Sequence, residues 1–483
     1  MTNLLNVLLD LSVVALFLGG VAQFRNLHRA RFGNLTAAFA LICSVLLVLY
    51  RHGILDSAYV AVASLAGCSL GWWIAARVNM VQIPAMVAFQ HGAGGVAAFL
   101  VAYRELTRTD GSLTALGAWS GHLGLIIGAA TFSGSMIASG KLANHLQQTP
   151  VTLPAHNATL LALLGVIGLL CLPAAITPGG GSASILVALI LVSMVLGGIF
   201  AVRIGGADMP VLISFLNATA GLAAAFCGVS IGNRLLAACG ATVVASGSIL
   251  THQMCLAMNR PLAQVFLPRS TKHPERNAAR GTPSIPAPQP DASQGGSLSM
   301  AVGVVKRATT IMIIPGYGMA QAQAQFETVW LANRLREMGK QVKFAIHPIA
   351  GRMPGHMHVV LAEAEADPDM LVDIRDANPE FQRTDVAVIV GACDVVNPAA
   401  IGATGTPISG MPILKAHEAH HVIVCNLDGR PGYSGVENSL YAAPNAILLF
   451  GDARATLQRL IGRLAAEDAV PIKQPESMSF HRR

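Results

Sequence analysis

The sequence predicts two folds in one chain: a multi-pass α-helical membrane domain of about nine helices, then a soluble α/β domain built on a parallel, doubly wound sheet. Three observations carry this. The 483 residues are 53% hydrophobic and only 12% charged, with mean hydropathy +0.55, whereas about a quarter of residues are charged in ordinary soluble proteins. Long apolar runs fill the chain from Leu4 to Met258. Beyond Val304, short β-branched runs alternate with segments of helical period, the pattern of strands linked by crossover helices.

The first apolar run, Leu4 to Phe24, is too long for a signal-peptide core and has no basic segment ahead of it, so it reads as a retained membrane helix. Further spans fit Leu35 to Tyr50, Ala58 to Ile74, Met86 to Tyr103, Leu116 to Ala138, Leu160 to Ile176, Ile185 to Val202, Val211 to Val229 and Leu235 to Met258. Arg25, His28, Arg29 and Arg31 set the first loop in the cytoplasm, and an odd number of spans returns the chain there. Residues 1–259 are thus expected to form the membrane domain, residues 260–303, with PSIPAPQP at their centre, a flexible linker, and residues 304–483 the soluble domain. Within the last, strands are expected at Thr310 to Ile314, Val342 to Ile346, Val386 to Val390, His421 to Cys425 and Ala446 to Phe450. Helices are expected at Ala322 to Met338, Met357 to Ala364 and Ala453 to Leu464.

The net charge of +7 is scattered between apolar spans and near the linker, so it reads as membrane topology and not as a nucleic-acid face. The eight cysteines lie mostly singly in apolar runs, without metal-ligand spacing, and no metal site is expected.

In the soluble half, the uncharged run IMII leads into Gly316 and Gly318 and then an Ala/Gln-rich helical segment. That order suits a phosphate-binding turn of a Rossmann-like nucleotide-binding domain, with free helix N–H groups aimed at the turn. An ordinary tight turn fits as well, because Gln321 occupies the third glycine position and no acid closes the second strand. Within the spans, polar groups are few, and each must be paired or line water. His91, in AFQHGAGG, suits either proton exchange or a hydrogen bond across helices. Asp208 stands just ahead of Pro210, where an N-terminal cap is the plain alternative. Asn217 follows about two turns on, and with Ser133, Ser135 and His122 these residues are candidates for one polar path.

The order of these segments, with TFSGS, IGGADMP, AMNR, PGYGMAQAQ, HPIAGRMPGHM, VGACDVVNPAA, ISGMPIL and LFGDA, resembles the β subunit of the proton-translocating NAD(P) transhydrogenases over nearly the whole chain. The resemblance implies hydride transfer between NAD(H) on a partner α subunit and NADP(H) on this chain, coupled to proton movement. It also implies a bacterial inner membrane, a dimer of heteromers and a cytoplasmic C-terminal domain. Residue by residue, it gives His91 and Asn217 to the proton channel and Asp208 to its domain-facing end. It places Gly316, Tyr317, Gly318 and Ala320 at the dinucleotide turn, Arg352, Pro354 and Gly355 near the phosphates, Asp394 near the nicotinamide, and Tyr433 and Gly435 in a covering loop.

The chain departs from the family in one place of consequence. A Lys-Arg pair that holds the 2′-phosphate of NADP is replaced by Asn426 and Leu427, followed by Asp428. Arg430 is the nearest candidate to compensate. Cys393 stands where the family usually has Asn. Three readings stay open on sequence: an active transhydrogenase subunit, a nucleotide-gated membrane channel, and a regulatory paralogue without NADP-selective catalysis.

Overall fold

A computed structural model of the chain describes residues 2–23, 29–51, 53, 57–108, 113–147, 150–176, 182–205, 208–266, 294–403 and 405–466. These fall into two compact units, described separately. Arg25 and His28 of the basic first loop lie outside the described residues, as does most of the expected linker.

The first unit is helical. Among the described residues, nine apolar helices follow the expected order: α1 (Thr2–Gln23), α2 (Ala30–Arg51), α3 (Ala58–Ala75), α4 (Ile83–Leu106), α5 (Ala115–Leu142), α6 (His156–Ile176), α7 (Ala183–Val202), α8 (Met209–Ser230) and α9 (Arg234–Ala257), with a short α10 (Leu262–Phe266) after them. Among the described residues, eight are long and apolar enough to cross a membrane, α6 being the exception in its described part. Helices solve the problem of lipid because each satisfies its backbone polar groups internally. Most of their side chains face outward, and Leu4, Leu65, Trp72 and Leu161 are among the large apolar groups left exposed.

Helix α5 is the centre of this unit and packs against α4, α7 and α8. Without a hydrophobic drive between helices in lipid, close approach at small residues must supply the packing. A Cβ added at Gly95 of α4 would stand 2.6 Å from the Gly128 carbonyl of α5, and one at Gly197 of α7 would stand 2.0 Å from that of Ala130. Polar groups in the contact are paired across it, as where Thr131 of α5 donates to Thr219 of α8 at 3.0 Å. At the end of α5, buried Lys141 donates to the Ile204 carbonyl at 2.7 Å and to that of Val202, closing the end of α7.

The second unit begins with α11 (Gln294–Arg307) and continues β1 (Thr310–Pro315), α12 (Tyr317–Gln321), α13 (Gln325–Glu337), β2 (Gln341–Ile346), α14 (His356–Glu363) and β3 (Leu371–Asp373). There follow the one-turn α15 (Ile374–Ala377), β4 (Val386–Val390), the one-turn α16 (Ala399–Gly402), β5 (His421–Cys425), β6 (Ala446–Leu448) and α17 (Ala453–Ala466). Six parallel strands lie in the order β3-β2-β1-β4-β5-β6, so the crossover reverses between β1 and β4. Both faces are covered, which explains the unbroken apolar runs. Ile311 and Ile313 join one core with Leu331, Leu335, Val360 and Leu457, while Met312 and Ile314 join another with Phe381 and Leu414.

Three expectations need correction. Residues 294–303 are helical, and Ala301 and Val302 are buried in the core of the second unit, so Val304 lies inside a helix. The helix expected from Ala322 starts at Gln325, separated from α12 by Gln323 at φ 52. The sixth strand, β3, was not anticipated.

The tight contact at Gly197 gives a paired test. Gly197→Ala should lower the thermal unfolding midpoint of the detergent-purified chain, in line with overpacking of about 1–3 kcal/mol. Gly198→Ala, with nothing within 4 Å of its added methyl, should leave the midpoint unchanged or slightly raised.

Candidate functional site

In an open parallel sheet, ligands bind beyond the carboxyl ends of the strands where the strand order reverses. Here that is the crevice beside the ends of β1 and β4. The two glycines after β1 are fixed there by the neighbouring strand: the Gly316 N–H donates to the Val390 carbonyl and the Gly318 N–H to that of Gly391, each at 2.8 Å. A Cβ at Gly316 would stand 2.2 Å from the Gly391 oxygen. The glycines therefore let two loops touch, and their N–H groups are not free to face a phosphate, contrary to the expectation from sequence. Ala320, 1% exposed, belongs to the core and braces the turn from beneath.

Above this turn stands a cation held by aromatic rings. The Arg352 guanidinium lies 4.4 Å from the centre of the Tyr317 ring and donates to the Tyr433 hydroxyl at 3.2 Å. The Tyr317 ring also neighbours those of Tyr433 and His356, at 6.2 Å each. Stacking over an aromatic face suits a planar guanidinium. Burial pushes the Tyr317 hydroxyl up to about 12, opposed by the Arg352 charge. Gly355 caps α14 in the left-handed region at φ 72, following Pro354, and turns the Arg352 loop back towards its helix. His356 secures that loop by accepting the Arg352 N–H at 3.1 Å.

Asp394, at the end of β4, accepts the Ser434 hydroxyl at 2.6 Å and the Ser434 N–H at 3.1 Å. Those bonds tie the β4 loop to the Gly432–Gly435 segment, where Gly435 takes φ 70. Burial nevertheless raises the Asp394 carboxyl above its ordinary value, against the Ser434 hydrogen bonds. Beside it, burial raises the Cys393 thiol, so it is not an activated nucleophile. The structure thus brings Tyr317, Arg352, Asp394, Tyr433 and Gly435 to one end of the sheet.

After β5 the chemistry changes. Asn426 is buried and donates to the Ala392 carbonyl and the Tyr441 hydroxyl, each at 2.8 Å. Leu427 is 69% exposed. Asp428 accepts the Arg430 Nε–H at 2.6 Å and its backbone N–H at 2.9 Å, and that guanidinium holds the carboxyl below its ordinary range. Arg430, the candidate to compensate for the missing cations, is therefore engaged by an acid three residues from the strand. The guanidinium of Arg352 thus stands at this end of the sheet, while the cation of the loop after β5, Arg430, is paired with Asp428.

In the helical unit, His91 lies on α4, half-buried, with its Nδ1 unpartnered. Asn217 lies half-buried on α8. Asp208 makes no cap to α8, correcting the plain alternative; its carboxylate instead pairs with Arg260 at 2.8 Å. Sequence reasoning passed over His356, Ser434 and Asn438, although each stands within a quoted or adjacent motif. Asn438 donates to the Cys393 carbonyl at 3.1 Å and fixes the loop beneath Asp394.

Among the described residues, the chain combines eight helices long and apolar enough to cross a membrane with a doubly wound parallel α/β domain. The sequence model of the NAD(P) transhydrogenase beta subunit matches residues 7–463. The chain is 38% identical over 468 residues to the NAD(P) transhydrogenase subunit beta of Rhodospirillum rubrum, covering 95% of this chain and 99% of that one. The same subunit from strain ATCC 11170 of that species matches equally. This chain belongs to the transhydrogenase beta-subunit family.

The raised Asp394 carboxyl has a pH consequence. A carboxyl whose folded value lies above its unfolded one contributes stability below the unfolded value, and loses it as pH rises through the folded value. Between about pH 4 and neutrality, the unfolding midpoint of the purified chain should therefore fall relative to that of Asp394→Asn. A constant difference between the two across that range would contradict the assignment.

Proposed function

We propose that this chain is the membrane-coupled, dinucleotide-binding half of a proton-translocating transhydrogenase. NADP(H) occupies the crevice at β1 and β4, NAD(H) is carried by a partner α subunit, and the complex works as a dimer of heteromers. The membrane is a bacterial inner membrane, with the second unit in the cytoplasm. The observation that supports this most is the Arg352 guanidinium, stacked on Tyr317 and bonded to Tyr433 at the topological switch point. When bound, the dinucleotide supplies the nicotinamide ring that carries the hydride. Arg352 holds the diphosphate, Tyr317 and Tyr433 keep the guanidinium in plane and exclude water, and Asp394 holds the Gly432–Gly435 loop through Ser434.

Protonation is read in the helical unit. His91, Asn217 and Asp208 form the proton path, and proton occupancy there biases how tightly the nucleotide loops close. His91→Ala should stop proton-linked hydride transfer in vesicles carrying the chain and its α partner, while the purified chain still binds dinucleotide. Turnover that still moves protons in this variant would defeat the reading.

A second reading is favoured by the loop after β5. With Arg430 held by Asp428 and no Lys-Arg pair, selectivity for the 2′-phosphate is lost, each missing charge-assisted contact being worth about 1–3 kcal/mol. Titration of the purified chain with NADPH and NADH should give dissociation constants within about tenfold of each other. Binding of NADPH a hundredfold tighter would restore full NADP selectivity and show another cation at work.

A further inference from the structure

The helical unit carries buried polar atoms that neither its fold nor the proposed roles of His91, Asn217 and Asp208 account for. Among the described residues of α4, α5, α7 and α8, four such atoms have no hydrogen-bond partner, His122 Nε2, Ser135 Oγ, Ser193 Oγ and Ser230 Oγ, as has His91 Nδ1 itself. His122 is 4% exposed, Ser135 and Ser193 are 0% exposed and Ser230 is 8% exposed. In a bundle set in lipid such groups are costly unless water reaches them. Their positions along the helices are ordered.

Contacts between helices fix that order. Gly92, beside His91, meets Ser135, and Thr131 bonds Thr219 two residues beyond Asn217. His91, Ser135, Thr131 and Asn217 therefore share the half of α5 nearer its C-terminus. α5 and α8 run antiparallel, since Gly124 meets Cys227 and Gly121 meets Ser230, whose Oγ would lie 2.9 Å from an added Cβ. His122 and Ser230 thus stand at the end of the bundle opposite Asp208. The thirteen-residue step from His122 to Ser135 spans roughly 20 Å of helix. Ser193 falls within that interval, because α7 runs parallel to α5 and Gly197, one turn further on, meets Ala130.

The ring of His122 has a defined proton inventory. Its Nδ1 lies 2.7 Å from the Ala118 carbonyl, which can only accept, so the proton sits on Nδ1 and Nε2 carries a lone pair. That nitrogen can take a proton from water to form an imidazolium and return it to the next water, while Nδ1–H remains on Ala118. Glu105 of α4 and Arg108 just beyond that helix pair with each other at 3.1 Å, and Lys141, the other ionisable side chain of α5, is held at the opposite end of that helix by the Val202 and Ile204 carbonyls.

We propose that His122 is a second proton-carrying residue, passing protons between the His91 layer and the end of the bundle away from Asp208, along water held by Ser193 and Ser230. This rests on the reading that the bundle conducts protons, and the test separates the two. The full chain and its α partner are reconstituted in liposomes with a luminal pH dye, and hydride transfer is followed together with dye response. His122→Phe, which fills the space without carrying a proton, should slow both by about tenfold or more, with dinucleotide affinity and α-partner retention unchanged. In His122→Ala, added imidazole should restore proton movement several-fold. Wild-type proton movement in His122→Phe overturns the proposal. So does a loss in both variants that imidazole leaves unrepaired, which would assign the ring to packing. If His91→Ala also moves protons normally, the failure belongs to the proton-conducting reading of the bundle.

Discussion

A polar group carried into hydrocarbon must find its partner inside the protein, and that demand governs this chain from its composition to its chemistry. It makes the spans helical and leaves their outward faces apolar. It also turns small residues into contact points, because helices in lipid gain little from hiding one apolar surface against another. The approach of α4 and α7 to α5 at Gly95 and Gly197 brings backbone to backbone. In such a bundle a polar side chain is either paired, as Thr131 with Thr219 and Asp208 with Arg260, or it marks a route for water and protons. His91 Nδ1 and His122 Nε2 have no partner, and the proposed proton route runs through these two rings.

The second unit answers the same demand in water by a different device. Its sheet is covered on both faces, so polar chemistry is confined to the strand ends. Close contact of the β1 turn with the β4 loop at Gly316 and Gly391 leaves room above it for Arg352, Tyr317 and Tyr433. The backbone N–H groups of Gly316 and Gly318 are engaged by the end of β4, so the proposed anion site rests on the side-chain cation in its aromatic setting. In the loop after β5, Asp428 and Arg430 pair with each other.

Much of this was legible because the relevant signals are long or periodic. Nine apolar runs and five strands of branched residues declare themselves, and a parallel sheet follows from the alternation with helices. What stayed hidden was short or depended on contacts distant in sequence. β3 has three residues and only a partly buried pattern, too little for a period. The break between α12 and α13 turns on one left-handed residue, Gln323, which no local sequence rule demands. That Asp208 would pair with Arg260 required knowing which segments meet, whereas Arg430 and Asp428 stand two residues apart and their pairing depended on the local shape of one loop. The candidate residues of the crevice were named from resemblance; their stacking and hydrogen bonding were not.

The central claim is that proton movement through the helical unit and hydride transfer at the second unit are one process. The direct measurement is the luminal pH of sealed proteoliposomes holding the chain and its α partner while hydride passes between the two dinucleotides. The account predicts a pH change that begins with turnover and collapses on adding a protonophore, with turnover then accelerating as the opposing gradient is released. Sustained hydride transfer in sealed vesicles with no luminal pH change and no response to the protonophore would contradict it.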